Sequence, residues 1–467
     1  MNKVIAAVGL AALSAASVQA QDLAAPPTKD WSVAATVRGF YDDNYLTQPA
    51  TIVGPSGPIH PRLQSWGTEA IPSFGWNHAA EGTSEFATYV YDVRWYENKS
   101  DLDQSHQLNL GLTREFSPQY KLSVSDSFVV AQEPTVIDPS VISSPLRVEG
   151  NNIRNAGVVN FNDKITKELS LDLGSTTTLY DYPQTAKSVI GFPFTGAQSL
   201  YPTEPSRSAL LNRIEELVTL DLRWNFTETT SILFGYQFGD TSYTSSEYIN
   251  YPYGGASPYL APANAGAAVF KGDHSDVRDS YSHFIFIGGD DKFSDALNGG
   301  LRVGAEYVDY YKNVDGLGNN APTSRVSPYV DASLTDVYQQ GCTAQIGVKH
   351  IHNSTDVVGT GGDLASGGTV PVLDEESTAI YLSDSHQLTD KLTASVMGQA
   401  QLSTFVGGGP SYNDKMDQFF VLQVNFSYKF TPMLSAETGY NFNRLKSDLP
   451  DRAYTRDFMY LGLRATY

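Results

Sequence analysis

Pairs of charged residues two or four positions apart recur through this chain in stretches where apolar residues alternate with them. Asp92 with Arg94, Asp221 with Arg223, and Arg302 with Glu306 are the clearest, and Arg38, Lys349, Lys429, Glu437 and Arg464 hold the same parity in stretches of their own. Gln399, Gln401 and Gln423 add uncharged polar groups to that parity. Residues of one parity in an extended chain share one face, so these side chains are expected to line a common aqueous surface. The chemistry open to such a lining is electrostatic: hydrating a solute, attracting or repelling its charge, and bracing the wall through pairs of opposite sign. Arg38, Arg94 and Arg223 are the best candidates for tuning permeation, because a cation in a narrowed, low-dielectric channel exerts a strong field. Covalent or acid–base catalysis asks for a nucleophile or carboxylate pair beside a positioned histidine. His283, His350, His352 and His386 show no such partner pattern, so no enzyme and no cofactor are expected.

Two further groups each have a plainer role beside a functional one. Tyr243, Tyr248, Tyr251, Tyr253 and Tyr259 are interspersed with Gly and Pro; exposed tyrosines can stack on sugar rings, while the plainer role is to pack a loop or mark a membrane interface. Asp42-Asp43-Asn44 and Asp315 with Asn319 and Asn320 are oxygen-rich but lack EF-hand spacing. They are read as turn caps, and no metal is expected.

The elements that must hold these residues are strands. Trp31, Val33, Ala35, Val37, Gly39 and Tyr41 alternate with Ser32, Ala34, Thr36, Arg38, Phe40 and Asp42, and the same period of two recurs at 87–95, 218–225 and 420–430. These runs reach ten to fourteen residues, the length a tilted membrane strand requires and more than a soluble strand needs. A degenerate repeat punctuates them: an aromatic or Leu, a hydroxyl or amide, then Asp, Glu or Pro, as at Phe116, Phe161, Phe226, Phe293, Leu334, Leu388 and Phe430. Each is read as an interfacial residue closing a strand before a short turn. Longer polar segments, roughly 43–65, 131–149, 183–211, 249–278 and 353–375, separate them. Short turns on one side and long loops on the other are the asymmetry of outer-membrane barrels. Strand starts near 31, 66, 85, 105, 119, 150, 167, 212, 230, 279, 298, 325, 341, 375, 391, 415, 433 and 456 predict an all-β, antiparallel up-and-down transmembrane barrel of eighteen strands, with sixteen as the alternative. An even count puts both termini on the periplasmic side.

The two ends agree with export. Lys3, the apolar run Val4–Leu13 and the small residues before Ala20 read as a signal peptide over 1–20, followed by a short periplasmic segment, 21–30, and the barrel, 31–467. At the other end Met459, Leu461, Leu463, Ala465 and Tyr467 form an apolar face finishing on an aromatic, the signature that barrel-insertion machinery reads. A lipid bilayer and its lipopolysaccharide are the expected surroundings. The chain is acidic, with formal net charge -20, and has one cysteine. Nucleic acid is excluded as a partner, since that needs clustered Lys and Arg, and a disulfide framework is excluded as well. On this parity Cys342 faces lipid. Asp126 and Asp384 also fall on the lipid parity, where a charge is costly; a register-shifting bulge or a homo-oligomer interface would resolve each.

The stretch Val37-Arg38-Gly39-Phe40-Tyr41-Asp42-Asp43-Asn44 resembles the opening of the family called putative β-barrel porin 2. Tyr120-Lys121-Leu122-Ser123-Val124-Ser125-Asp126-Ser127-Phe128, followed later by Asn151-Asn152-Ile153-Arg154-Asn155-Ala156, is similar to that family too. The resemblance implies an outer-membrane, porin-like barrel, with exopolysaccharide production a further association of some members, and it supplies no catalytic or binding residues. The expected function is passive diffusion of small hydrophilic solutes. The alternatives are a non-conducting surface protein for adhesion or envelope organisation, or an accessory to exopolysaccharide export.

Overall fold

A computed structural model describes residues 30–54, 57–59, 62–99, 102–131, 152–185, 206–247, 249, 274–312, 324–357, 372–408, 412–449 and 452–467. Residues 1–29, and with them the expected signal peptide, lie outside this set.

The first half of the chain contributes β1 (Trp31–Asp42), a small hairpin of β2 (Ile52–Gly54) and β3 (Gly57–Ile59), then β4 (Ser65–Ala80), β5 (Thr83–Tyr96), β6 (Asp103–Glu115), β7 (Tyr120–Ala131), β8 (Asn152–Asp163), β9 (Leu169–Asp181), β10 (Arg213–Asn225) and β11 (Thr230–Tyr243). The second half adds β12 (Ser280–Lys292), β13 (Leu297–Tyr310), β14 (Ser324–Gln339), β15 (Cys342–Asn353), β16 (Val372–Gln387), β17 (Leu392–Gly407), β18 (Met416–Thr431), β19 (Leu434–Ser447) and β20 (Tyr454–Thr466). Apart from the hairpin, these strands form one eighteen-stranded antiparallel sheet in which each pairs with its neighbours in sequence and β1 pairs with β20. That last pairing closes the barrel and leaves no free edge, as backbone polar groups inside a bilayer demand. At the seam Tyr467 N–H donates to the Val33 carbonyl (2.8 Å) and Val33 N–H to the Tyr467 carbonyl (3.1 Å), while the Trp31 and Tyr467 rings lie 5.8 Å apart. Among the described residues no helix is long and apolar enough to cross a membrane; the strands do the crossing.

The parity seen in the sequence sorts residues between two surfaces. One face of every strand puts large apolar side chains on the outer wall: Val37, Leu461, Leu463, Ile285 and Val326 are each more than half exposed there, and Met459 and Tyr467 lie on the same wall. The other face turns inward. The segments at 66–78, 280–291 and 324–334 are all strand, which gives eighteen and not sixteen. Leu334-Thr335-Asp336 is not a turn: β14 continues to Gln339 through a register shift after Asp336, and the reversal falls at Gln340-Gly341, where Gly341 takes φ +76, a conformation that glycine adopts without the steric cost other residues meet.

Neither misfit carboxylate is explained by register. The pairing of β6, β7 and β8 runs without a shift past Asp126, and the shift in β16 lies between Val372 and Asp374, far from Asp384. Both stay on the outer wall and take local partners. Asn155 Nδ2 donates to both Asp126 oxygens at 2.8 Å, and the Tyr338 hydroxyl donates to Asp384 at 2.9 Å while stacking on His386. Cys342, expected to face lipid, is instead fully buried beside the Gly341 reversal, with its sulfur accepting from Gln387 N–H.

Candidate functional site

The inner face carries the expected charges in two ladders. In the first, antiparallel register sets Arg38 of β1 opposite Glu69 of β4 and Glu69 opposite Arg94 of β5. Arg38 Nη1 lies 3.1 Å from Glu69 Oε2, Arg94 Nε 2.5 Å from Glu69 Oε1, and Arg94 Nη2 3.2 Å from Asp92 Oδ2. Glu69 is buried between the two guanidinium groups. On the other side Arg38 faces Gly462 of β20, and Gly462 faces Glu437 of β19. A Cβ on Gly462 would come within 2.6 Å of Arg38 Cγ, so the glycine leaves the trough through which Arg38 reaches to pair with Glu437. The Arg38 guanidinium sits 4.3 Å from the Tyr460 ring centroid, a cation–π contact. Glu69, the residue that joins this ladder, was not singled out in the sequence, because Gly67, Pro72 and Gly75 break the pattern around it.

The second ladder spans β9 to β13. Arg223 Nη1 pairs with Asp290 at 2.5 Å and donates to the Ser231 hydroxyl at 2.8 Å, and Arg223 Nε lies 3.6 Å from Asp172. Arg302 Nη2 shares Asp290 at 3.4 Å. Asp221 stands beside Asp172 in the β9–β10 register. Asp331 separates Arg302 from Lys349, directly opposite both. Lys429 is exposed at the short-turn end of β18, away from either ladder. Arg464 lies on the inner face between Thr36 and Ser435.

The long-loop end holds a third arrangement. After β15 the segment 354–357 leaves the wall. Ser354 Oγ donates to Glu215 Oε1 on β10 at 3.3 Å, while Asp356 takes a bidentate pair from Arg452 (2.7 and 3.2 Å), which also holds Asp417 of β18 at 2.7 Å. In the ring order β10 and β18 are eight steps apart out of eighteen strands, close to opposite. The segment therefore bridges the mouth as a crossbar. It is held in the middle by Arg278, fully buried at the end of a single 3-10 turn (Ser275–Arg278). Its guanidinium donates to the carbonyls of Leu210 (3.2 Å), Thr355 (3.2 Å), Val357 (2.7 Å) and Val372 (3.0 Å). Leu210 belongs to a short helix, α1 (Arg207–Leu211), capped by Ser206, and packs with Ala209, Leu211, Ile249 and Val277. Val357 and Val372 pack on Phe405 and Leu449. Beside the turn, burial lifts the Asp279 carboxyl above its ordinary range although Lys312 donates to it at 2.6 Å.

Tyr243 is buried here, with its ring under Arg278 and its N–H given to Asp279 at 2.7 Å; Tyr248, Tyr251, Tyr253 and Tyr259 lie outside the described residues. Asp42 accepts from Asn44 N–H at 3.0 Å and from Arg456 at 2.6 Å, the work of a turn cap. Asp315, Asn319 and Asn320 lie outside the described residues. Below the crossbar, Glu306 accepts from the His352 backbone N–H, and His352 Nδ1 lies 3.1 Å from Asp374, which also accepts from the Tyr310 hydroxyl. Gln401 donates to Ser403 at 3.0 Å, and Ser403 and Ser377 both donate to Glu375 at 3.2 Å. Among the described residues no group of three or more His, Cys, Asp or Glu is arranged to hold a metal.

The family model described as putative beta-barrel porin 2 matches residues 276–467. That range lies C-terminal to both stretches on which the sequence resemblance was read. No curated protein matches the chain. Among solved structures it is similar to OccAB3 of Acinetobacter baumannii, at 13% identity over 94% of this chain and 99% of that one, with TM-score 0.41. It is also similar to a BenF-like porin from Pseudomonas fluorescens, at 10% identity over 94% and 99%, with TM-score 0.42. The FrpB iron transporter from Neisseria meningitidis matches at 9% identity over 96% and 83%, with TM-score 0.45. The chain is a closed β-barrel protein whose residues 276–467 resemble the putative beta-barrel porin 2 family.

Proposed function

We propose that the protein is a channel for passive diffusion of small hydrophilic solutes across the outer membrane. One observation carries the reading: a closed eighteen-stranded ring whose inner face bears charged and amide groups on nearly every strand. A ring of this size is wider than its own side chains can fill, and a polar lining gains nothing from facing a dry interior. Because each ladder joins both signs, Arg38, Asp92, Arg94, Asp221, Arg223, Arg302, Lys349, Glu437 and Arg464 act as a braced wall with weak charge preference, Lys429 acts as a cation at the exit, and Glu306, buried against His352, stands apart from the solute path. The short-turn end, with both termini, faces the periplasm. The apolar wall with Met459, Leu461, Leu463, Ala465 and Tyr467 meets lipid and, during assembly, the insertion machinery; lipopolysaccharide surrounds the long-loop end. Liposomes carrying the purified barrel are expected to swell in isotonic solutions of small sugars. Vesicles that contain folded protein and do not swell would refute the reading.

A second reading draws on the crossbar. Loops bonded so extensively across the mouth suit a surface protein whose lumen is closed, including one serving adhesion, envelope organisation or exopolysaccharide export. Permeability that stays at the lipid background while loop deletions abolish a surface phenotype would favour it.

A further inference from the structure

The inner wall is packed unevenly around the ring. On β12 to β18 the inward side chains are large and buried: Phe284, Phe286, Tyr329, Tyr381, Phe405 and Val421. Glycines on adjacent strands make room for several of them. A Cβ on Gly235 or Gly304 would strike Phe286, and one on Gly347 would strike Tyr381. Four polar groups on this arc, Glu375, Ser377, Gln401 and Ser403, are buried and bonded to one another. The apolar contacts of the crossbar, Val372 and Phe405, lie on this arc, and its polar end reaches Glu215 at the mouth of β10.

The opposite arc carries smaller inward side chains, and the charges it has on β9 and β10, Asp172, Asp221 and Arg223, belong to the second ladder. One register row crosses five adjacent strands, Thr113 of β6, Ser123 of β7, Asn160 of β8, Gly174 of β9 and Thr219 of β10, and reaches Gln237 on β11. None of these residues is buried, and Asn160 is exposed although it points inward. Thr113 and Ser123 bond through their hydroxyls at 3.2 Å, and Gly174 is the low point between Asn160 and Thr219. The row carries hydroxyls and amides, both donors and acceptors, and no charge. A neutral side-chain hydroxyl or amide exchanges hydrogen bonds with water or with a solute hydroxyl at little net cost, whereas it replaces an ion's hydration less well than an opposite charge would.

We infer that the aqueous path is eccentric, running down the β6–β10 arc, and that the Thr113–Ser123–Asn160–Thr219 band favours neutral hydroxylated solutes such as sugars and polyols. This rests on the channel reading above. The experiment uses the full-length barrel in a Cys342→Ala background, with single substitutions Asn160→Cys, Thr219→Cys and Gln401→Cys, a water-soluble charged thiol reagent and single-channel recording. Modification at Asn160→Cys and Thr219→Cys is expected to cut conductance roughly twofold or more, because it places bulk and charge in the conducting path, while Gln401→Cys stays unmodified. The same barrel without substitutions, in liposomes, is expected to pass a neutral hexose several-fold faster than the sugar acid or amino sugar of equal size. Block at Gln401→Cys with none on the band would overturn the path, and equal rates for the three sugars would overturn the solute class. A barrel without substitutions that is electrically silent would instead remove the channel reading itself.

Discussion

Arg38 of the first strand pairs with Glu437 of the penultimate strand by lying across Gly462 of the last, so one salt bridge ties three strands at the seam where the barrel closes. The same guanidinium group reaches Glu69 at 3.1 Å on the other side. The brace across the closing seam therefore depends on one side chain and on the absence of another, while the backbone pairing of β1 with β20 closes the barrel itself.

Gly462→Val should break this arrangement. A branched side chain would occupy the trough, push Arg38 off Glu437 and strain β20. The expected loss is about 1–3 kcal/mol, read as a lower urea midpoint for folding into phospholipid vesicles. An unchanged midpoint would mean that Arg38 reaches Glu437 without the trough.

Glu69→Gln removes the one carboxylate shared by Arg38 and Arg94 and leaves two inward cations short of a partner. Loss of one member of a buried pair is costly, and about 2 kcal/mol of destabilisation is expected, moderated by lumen water. The reversal potential in a salt gradient should also move toward anion preference. A shift toward cations would contradict the ladder.

Arg278→Met keeps the bulk of the side chain and deletes the donors to Leu210, Thr355, Val357 and Val372. Unpaired buried carbonyls cost about 1–3 kcal/mol each, so the mouth should loosen while the barrel stays folded. Hydrogen exchange at 206–212 and 354–357 is expected to speed up, with the strands unchanged. Uniformly faster exchange in the strands would mean that Arg278 holds the barrel itself.

Asp126→Leu replaces a carboxylate on the outer wall with a side chain that lipid accepts. Because the Asn155 contact compensates only part of the desolvation cost, stability in vesicles should rise by about 1 kcal/mol. If it falls, this face is covered by something more polar than lipid, such as a second copy of the chain, and crosslinking at Asn155→Cys would detect that contact.

The barrel was legible in the sequence because alternation survives wherever one wall meets lipid. Strands expected to start near 150 and 375 start at Asn152 and Val372, and the closing pair of β1 and β20 is as expected. What sequence could not supply is lateral register between distant strands. Glu69 sits in a strand interrupted by Gly67, Pro72 and Gly75, where alternation is weakest, and its significance comes only from standing between Arg38 and Arg94. The Ser354–Glu215 and Arg452–Asp356 contacts join residues far apart in the chain, and no local pattern announces them. Likewise Gln399 and Gln401 have the parity of lumen residues, yet both are buried and bonded to each other, and Gln401 to Ser403.

Single-channel recording on the purified, folded barrel in a planar bilayer tests the central claim most directly. Discrete, long-lived conductance steps that scale with salt concentration and show weak ion selectivity are predicted. A barrel verified as folded and inserted, yet giving no steps above the bare bilayer, would contradict the account.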